Sequence, residues 1–147
     1  MVQMTTRVVL AEDNDIVRRG IKKLLNKARD IEVVGEAKNG IEALHLVKEM
    51  LPDILLLDVE MPLLNGIEVA QQLKKEQRTT RILVLSAYDD RQYIQEMLSL
   101  GVSGYLLKDE ASERIVDAIQ GVAKGNAGWL SPQVEAKLKR NKSSKTQ

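Results

Sequence analysis

At 147 residues, 44% hydrophobic and 29% charged, the chain suits one globular domain with a short appendage. Its lack of cysteine excludes disulfides and thiol chemistry, and a single histidine, His45, excludes a histidine-rich zinc site. The formal net charge of +1 divides unevenly: residues 126–147 carry five Lys or Arg against one Glu, a local +4, which leaves −3 on residues 1–125. No stretch approaches the roughly 20 apolar residues of a membrane span, so no membrane contact is expected. The first residues lack the apolar core of a signal peptide, and a cytoplasmic location is expected.

In chain order, the pattern alternates strand and helix five times. Arg7 to Ala11 reads as a strand, followed by a helix from about Asp15 with Val17, Ile21, Leu24, Leu25 and Ala28 on one face. Glu32 to Ala37 reads as a second strand at the sheet edge, since Glu32 and Glu36 flank it. After the Asn39-Gly40 turn, Ile41, Leu44, Val47 and Leu51 form an apolar helical stripe that Pro52 ends. His45 falls close to that stripe and reads as structural. Ile54 to Leu57 is uniformly apolar and belongs in the sheet centre. A loop over 62–66 leads into a helix carrying Ile67, Ala70 and Leu73, and Arg81 to Leu85 reads as the fourth strand.

A helix around Tyr93 to Leu100 ends at Gly101, and Gly104 to Leu107 is the fifth strand. Ser112 is the expected N-cap of a last helix, with Ile115, Ala118, Ile119, Val122 and Ala123 inward. Five such units predict an α/β fold, a doubly wound five-stranded parallel sheet. Residues 6–125 make one domain. Residues 126–147, poor in apolar residues after Leu130, read as a basic linker or disordered tail.

Four polar groups follow directly on apolar runs: Asp13, Asp58, Ser86 and Lys108. In open α/β sheets the ligand site lies beyond the carboxyl ends of the strands, so these groups converge there. Each of Glu12, Asp13 and Asp58 alone reads first as a helix cap or turn residue. Three carboxylates in one cleft, however, repel unless neutralised, and a hard cation such as Mg²⁺ does this through oxygen ligands. The backbone carbonyl of Glu60 is a further candidate ligand. Lys108 is either a surface ion pair or a point charge for a phosphate oxygen. Ser86 is either a turn hydroxyl or a hydrogen-bond donor to the same phosphoryl group. No histidine base lies in the cleft, which argues against a serine nucleophile. Asp58, on the central strand, is the candidate nucleophile; its attack on phosphorus gives an acyl phosphate. Tyr105 is either a packing residue or an aromatic group that fills space vacated when Ser86 moves.

Glu12-Asp13, Asp58-Val59-Glu60-Met61-Pro62 with Asn65-Gly66, Ser86-Ala87, Tyr105 and Lys108 together resemble the signature of the two-component response regulator receiver domain. The resemblance covers about residues 6–125. It implies a CheY-like, flavodoxin-like fold with strand order 2-1-3-4-5. It also implies Asp58 as phospho-acceptor for a sensor histidine kinase, Glu12 and Asp13 as the acidic Mg²⁺ pocket, Ser86 and Lys108 as the phosphoryl-binding pair, and Tyr105 as an aromatic switch. The domain would catalyse only its own phosphorylation and dephosphorylation. The face formed by residues 90–120 would serve a homodimer or an output domain.

Asp109 stands where many receivers carry a proline after the lysine, so no cis bond is implied there. Lys108-Asp109-Glu110-Ala111 and the 125–132 segment resemble regulators whose receiver precedes a LuxR-type helix-turn-helix domain. Only fifteen residues follow Pro132, too few for such a domain, so DNA contact is expected only through an output domain outside this chain. The alternative is a stand-alone receiver acting as a phosphorelay or protein-interaction module. A haloacid-dehalogenase-like phosphatase needs a second Asp where Glu60 stands, and an FMN carrier needs a Ser/Thr/Gly phosphate loop where Glu12-Asp13-Asn14-Asp15 stands.

Overall fold

The structure, a computed structural model, describes residues 5–144. Six strands and six helices follow in order: β1 (Thr6–Ala11), α1 (Asp15–Asn26), β2 (Ile31–Ala37), α2 (Gly40–Met50), β3 (Ile54–Asp58), α3 (Gly66–Lys75), β4 (Arg81–Ser86), α4 (Arg91–Ser99), β5 (Gly104–Leu107), α5 (Ala111–Ala123), β6 (Trp129–Leu130) and α6 (Pro132–Ser144). The strands pair in parallel in the order β2-β1-β3-β4-β5-β6. From β2 at one edge the chain returns past β1 to β3, so the winding reverses between β1 and β3.

Burial explains the order. Residues Ile54 to Leu57 are wholly buried, as a strand covered by helices on both faces must be. Each such side chain contributes about 1.5–3 kcal/mol on leaving water, which sets the most apolar segment at the centre. Side chains alternate across the sheet. Leu55 and Leu57 join Ala43, Val47, Val69, Leu73, Ile94 and Met97 on the α2–α3–α4 side, whereas Ile54 and Leu56 join Leu25, Ile115, Ile119 and Val122 on the α1–α5 side.

Four expectations need correction. The sheet has a sixth strand, because β6 pairs with β5 (Gly104 with Trp129, Tyr105 with Leu130) and takes its open edge. The 126–147 segment is therefore not a bare linker: it supplies β6 and α6, and Val134 of α6 is fully buried. Residues 145–147 of that expected tail lie outside the described residues. Ser112 is not the N-cap of α5. The helix begins at Ala111, and the cap position, Glu110, makes no side-chain capping bond. The turn is closed by the backbone instead, Glu110 N–H donating to Leu107 O at 3.0 Å and Ala111 N–H to Lys108 O at 3.3 Å. His45 lies off the buried stripe of α2, exposed and 2.9 Å from Glu49 one turn on.

Trp129, the chain's one tryptophan, reports on the docking of β6. Its indole lies over Gly121 of α5, where an added methyl would overlap the ring. Gly121→Ala is expected to destabilise the fold by about 1–3 kcal/mol, an ordinary overpacking cost. Chemical denaturation followed by Trp129 fluorescence checks this. An unchanged midpoint and emission spectrum would mean that the indole does not rest there.

Candidate functional site

The parallel register brings the strand ends level. Ala11 pairs with Leu57, Asp58 with Leu85 and Ser86 with Leu107, and the ladder continues where Lys108 N–H donates to Ser86 O at 2.8 Å. Glu12 and Asp13 follow β1, Asp58 ends β3, Ser86 ends β4, and Lys108 follows β5. Carboxylate oxygens of Glu12, Asp13 and Asp58 lie within 4.8 Å of one another. Lys108 Nζ lies 2.6 Å from Glu12 Oε1 and 3.3 Å from Asp58 Oδ2. Glu12, Asp13, Asp58 and Lys108 are thus brought together at one end of the sheet.

The geometry shows that these acids are not the caps of α1 and α3. Asn14 caps α1, accepting from Ile16 and Val17 N–H at 3.0 Å, and Asn65 caps α3 in a reciprocal box with Glu68. The helix-capping work is thus done by asparagines. Glu12 and Asp58 each use one oxygen on a local turn, Glu12 Oε2 accepting from Asn14 N–H at 3.0 Å and Asp58 Oδ1 from Glu60 N–H at 3.3 Å. Their other oxygens face Lys108. Behind Asp58 the backbone is held by Gly66, where an added Cβ would come within 2.6 Å of Asp58 O.

Glu12 and Asp58 are almost wholly buried (1% and 5% exposed), yet Asp13 is exposed. Burial pushes the Asp58 carboxyl up to about 7; Glu12 adds to the rise, and the Lys108 ammonium and the Glu60 N–H oppose it. Burial pulls the Lys108 ammonium down, but its bonds to Glu12 and Asp58 outweigh this and hold it above its ordinary value. Two buried carboxylates therefore share one lysine. Such a donor set, all hard oxygens with more negative charge than the single ammonium offsets, fits a divalent cation such as Mg²⁺.

At the mouth, the Tyr88 hydroxyl donates to Glu60 Oε1, and the Tyr88 ring stacks on Tyr93 at 5.9 Å. Asp13, Glu60, Met61, Asn65 and Tyr93 line the open cleft beside them. Ser86 is buried, its Oγ accepting from Tyr88 N–H at 2.9 Å. Tyr105 is fully buried and its hydroxyl donates to Tyr88 O at 2.8 Å. Burial raises the Tyr105 hydroxyl, partly offset by the Ser86 hydroxyl beside it.

Two features of the site were not read from the sequence. Arg18, buried on α1, donates to Glu12 O at 3.0 Å and to Asp15 at 2.6 Å and Glu36 at 3.2 Å, pinning the acidic loop to α1 and β2. Only its spacing from Asp15, one turn earlier, hinted at this. The Tyr88–Glu60 bond joins residues 28 apart and leaves no local pattern. A second hollow lies at the opposite end of the sheet, around Thr6, Asp53, Arg81 and Gln120. Three of its polar side chains already pair, Asp53 accepting from Arg7 N–H, Arg81 donating to Val122 O and Gln120 donating to Asp30. The cluster of carboxylates and lysine sits at the other strand ends.

A doubly wound parallel sheet with an acidic cluster, a hydroxyl and a lysine at its switch point defines a receiver-type signalling domain. The chain belongs to the response regulator receiver domain family, whose pattern it matches over residues 8–120. It is 35% identical over 132 residues to the transcriptional regulatory protein DegU of Brevibacillus brevis, covering 90% of this chain and 56% of that protein. It is 35% identical over 143 residues to the nitrate/nitrite response regulator NarL of Escherichia coli K12, covering 95% of this chain and 66% of NarL. Among solved structures, a LuxR-family two-component response regulator from Aurantimonas superposes with a TM-score of 0.89 at 28% identity, over 95% of this chain and 99% of that one. The chain thus spans about half to two thirds of the length of these curated relatives. Those two relatives are named as a transcriptional regulatory protein and a nitrate/nitrite response regulator, and the Aurantimonas protein as a LuxR-family response regulator. Among the described residues no helix is long and apolar enough to cross a membrane.

Proposed function

We propose that Asp58 accepts a phosphoryl group from a sensor histidine kinase in a Mg²⁺-dependent reaction in the cytoplasm, and that the acyl phosphate switches an output face. Supporting this reading is one observation: the buried Asp58 carboxylate beside Glu12, Asp13 and Lys108, with Lys108 Nζ 3.3 Å from Asp58 Oδ2. Glu12, Asp13, Asp58 and the backbone carbonyl of Glu60 would hold the cation. When bound, it supplies the positive charge that offsets the carboxylates and the phosphoryl oxygens.

An Asp58 oxygen attacks phosphorus, and the bond from phosphorus to the donor's nitrogen or oxygen breaks, its electron pair leaving with the donor. Lys108 turns from carboxylate to phosphoryl oxygen, a charge it suits as a compact ammonium. Ser86 donates a hydrogen bond to another phosphoryl oxygen. Water attack later returns the carboxylate and free phosphate, so the domain catalyses only its own phosphorylation and dephosphorylation. Transcription is then controlled through a DNA-binding domain outside these 147 residues. Residues 90–120 offer the face for a second copy or that domain.

Incubation with Mg²⁺ and acetyl phosphate tests the reading. The intact mass should rise by one phosphoryl group mapping to Asp58, and chelation of Mg²⁺ should prevent it. A phosphoryl group on another residue, or none, would overturn the assignment.

A further inference from the structure

Glu12 is held at every polar atom it has. Its N–H donates to Ala37 O at 3.0 Å, Oε2 accepts from Asn14 N–H at 3.0 Å, Oε1 meets Lys108, and its carbonyl oxygen accepts from Arg18 Nη1 at 3.0 Å. That carbonyl belongs to the planar peptide joining Glu12 to Asp13, so whatever orients it also sets the direction in which exposed Asp13 leaves the backbone. Buried Arg18 spans three acceptors with one rigid fork: Glu12 O after β1, Asp15 Oδ1 at the start of α1 and Glu36 Oε1 on β2. The Asp15 and Glu36 side chains are 57% and 32% exposed, so their pairing alone would not offset the burial of a guanidinium. An apolar residue beside Ile21 and Leu25 would serve the packing of α1 as well.

The edge strand is shaped to reach Arg18. Val8 pairs with Val33 but Val9 with Gly35, so β2 carries an extra residue between them. Val33 packs on the α1–α5 side, and regular alternation from it would turn Glu36 toward α2. Instead Val34 joins the α2–α3–α4 side, and Gly35 lies against Leu46 of α2 as well. The bulge thereby re-aims Glu36 at α1, where it meets both Arg18 and, at 2.9 Å, Lys22.

Resting on the cation reading above, we propose that Arg18 is the positioning residue of the cation pocket: anchored by Asp15 and Glu36, its guanidinium locks the Glu12–Asp13 peptide so that both carboxylates are preset for a divalent ion. The role works through geometry and against charge. A guanidinium beside a cation pocket repels the ion, so by Coulomb's law alone its removal would tighten binding. Positioning gives the opposite sign, because the outer partners of metal ligands typically contribute about 10–100-fold in affinity.

Titration of the full chain with Mg²⁺, followed by the amide resonances of Asp13, Asn14 and Asp58, tests this without any phosphoryl transfer. Arg18→Met should weaken Mg²⁺ binding by about 10-fold or more. Arg18→Lys keeps the charge but not the planar fork, and should also weaken binding, by less. Glu36→Ala should weaken it in the parent and change nothing further in the Arg18→Met background, because its effect passes through Arg18. Dispersed amide resonances over 54–57 show that the variants fold, and should Arg18→Met not fold, Arg18→Lys carries the test. If the parent's amides do not respond to Mg²⁺, the cation reading falls and takes this inference with it. If the parent binds but Arg18→Met binds as tightly or more tightly, or Arg18→Lys matches the parent, the positioning role is wrong and the cation reading stands. A Glu36→Ala effect of equal size in both backgrounds would overturn the part given to Glu36.

Discussion

Asp58→Asn should take up no phosphoryl group from acetyl phosphate, while folding more stably than the parent in Mg²⁺-free buffer at pH 8. The first half follows from chemistry: the amide keeps the shape but offers no nucleophilic oxygen anion. The second follows from burial. The folded state raises the Asp58 carboxyl to about 7, chiefly because burial disfavours its charge and Glu12 adds repulsion. A carboxyl raised above its unfolded value is stabilising when protonated, and its ionisation favours the unfolded chain. At pH 8 without cation, ionised Asp58 therefore costs on the order of a few kcal/mol, at 1.36 kcal/mol per pKa unit, and the neutral amide avoids that cost. Intact mass checks the first half and urea denaturation in chelator the second. A variant that is still phosphorylated to the parent extent would move the acceptor elsewhere. One that is less stable than the parent would mean that the carboxylate is well compensated without metal.

The opposite directions of these two effects show why this site could be read from sequence. A buried acid at the end of a wholly apolar strand, followed by a turn, makes poor structural sense unless it does something. The Ile54–Leu57 run announced both the central strand and the misfit of Asp58, and β5 over Gly104–Leu107 delivered Lys108 in the same way. What escaped was whatever depends on tertiary context. α6 is rich in Lys, Arg and Ser and carries only Val134 and Leu138 as large apolar residues, so composition read it as tail. Their i, i+4 spacing is a single buried stripe, and it acquires meaning only beside the open edge of β5 and the flank of α4. Arg18 was passed over because a charged residue on an amphipathic helix ordinarily faces water. Here three acceptors on separate segments, Glu12 O, Asp15 and Glu36, make its burial tolerable. Ser112 has the residue type of an N-cap, but backbone bonds had already closed the turn two residues earlier.

Lys108→Ala is expected to slow phosphorylation by about 10²–10³-fold, equivalent to about 2.7–4 kcal/mol, the usual loss when one donor to developing charge is removed. A loss of that size would decide against a surface reading, because exposed ion pairs contribute only about 0–1 kcal/mol and their loss would leave the rate nearly intact. Lys108 is different because its partners are buried: Glu12 is 1% exposed and Asp58 5% exposed. Removing the ammonium leaves two carboxylates facing each other without a cation. Breaking a fully buried pair costs about 3–5 kcal/mol. Here the cost should be smaller, since the Lys108 side chain is 26% exposed and water can enter where it stood. The signature should be a stability that depends on Mg²⁺ more steeply than the parent's, because a cation in the pocket replaces part of the missing charge. Thermal unfolding of the two proteins across a Mg²⁺ titration reads this directly. Parallel titration curves, together with phosphorylation at the parent rate, would leave Lys108 as a surface lysine that happens to lie near an acid. Converging curves with a rate that stays low at saturating Mg²⁺ would separate its two tasks: the metal can stand in for Lys108 in holding the fold, but not in meeting the phosphoryl oxygens.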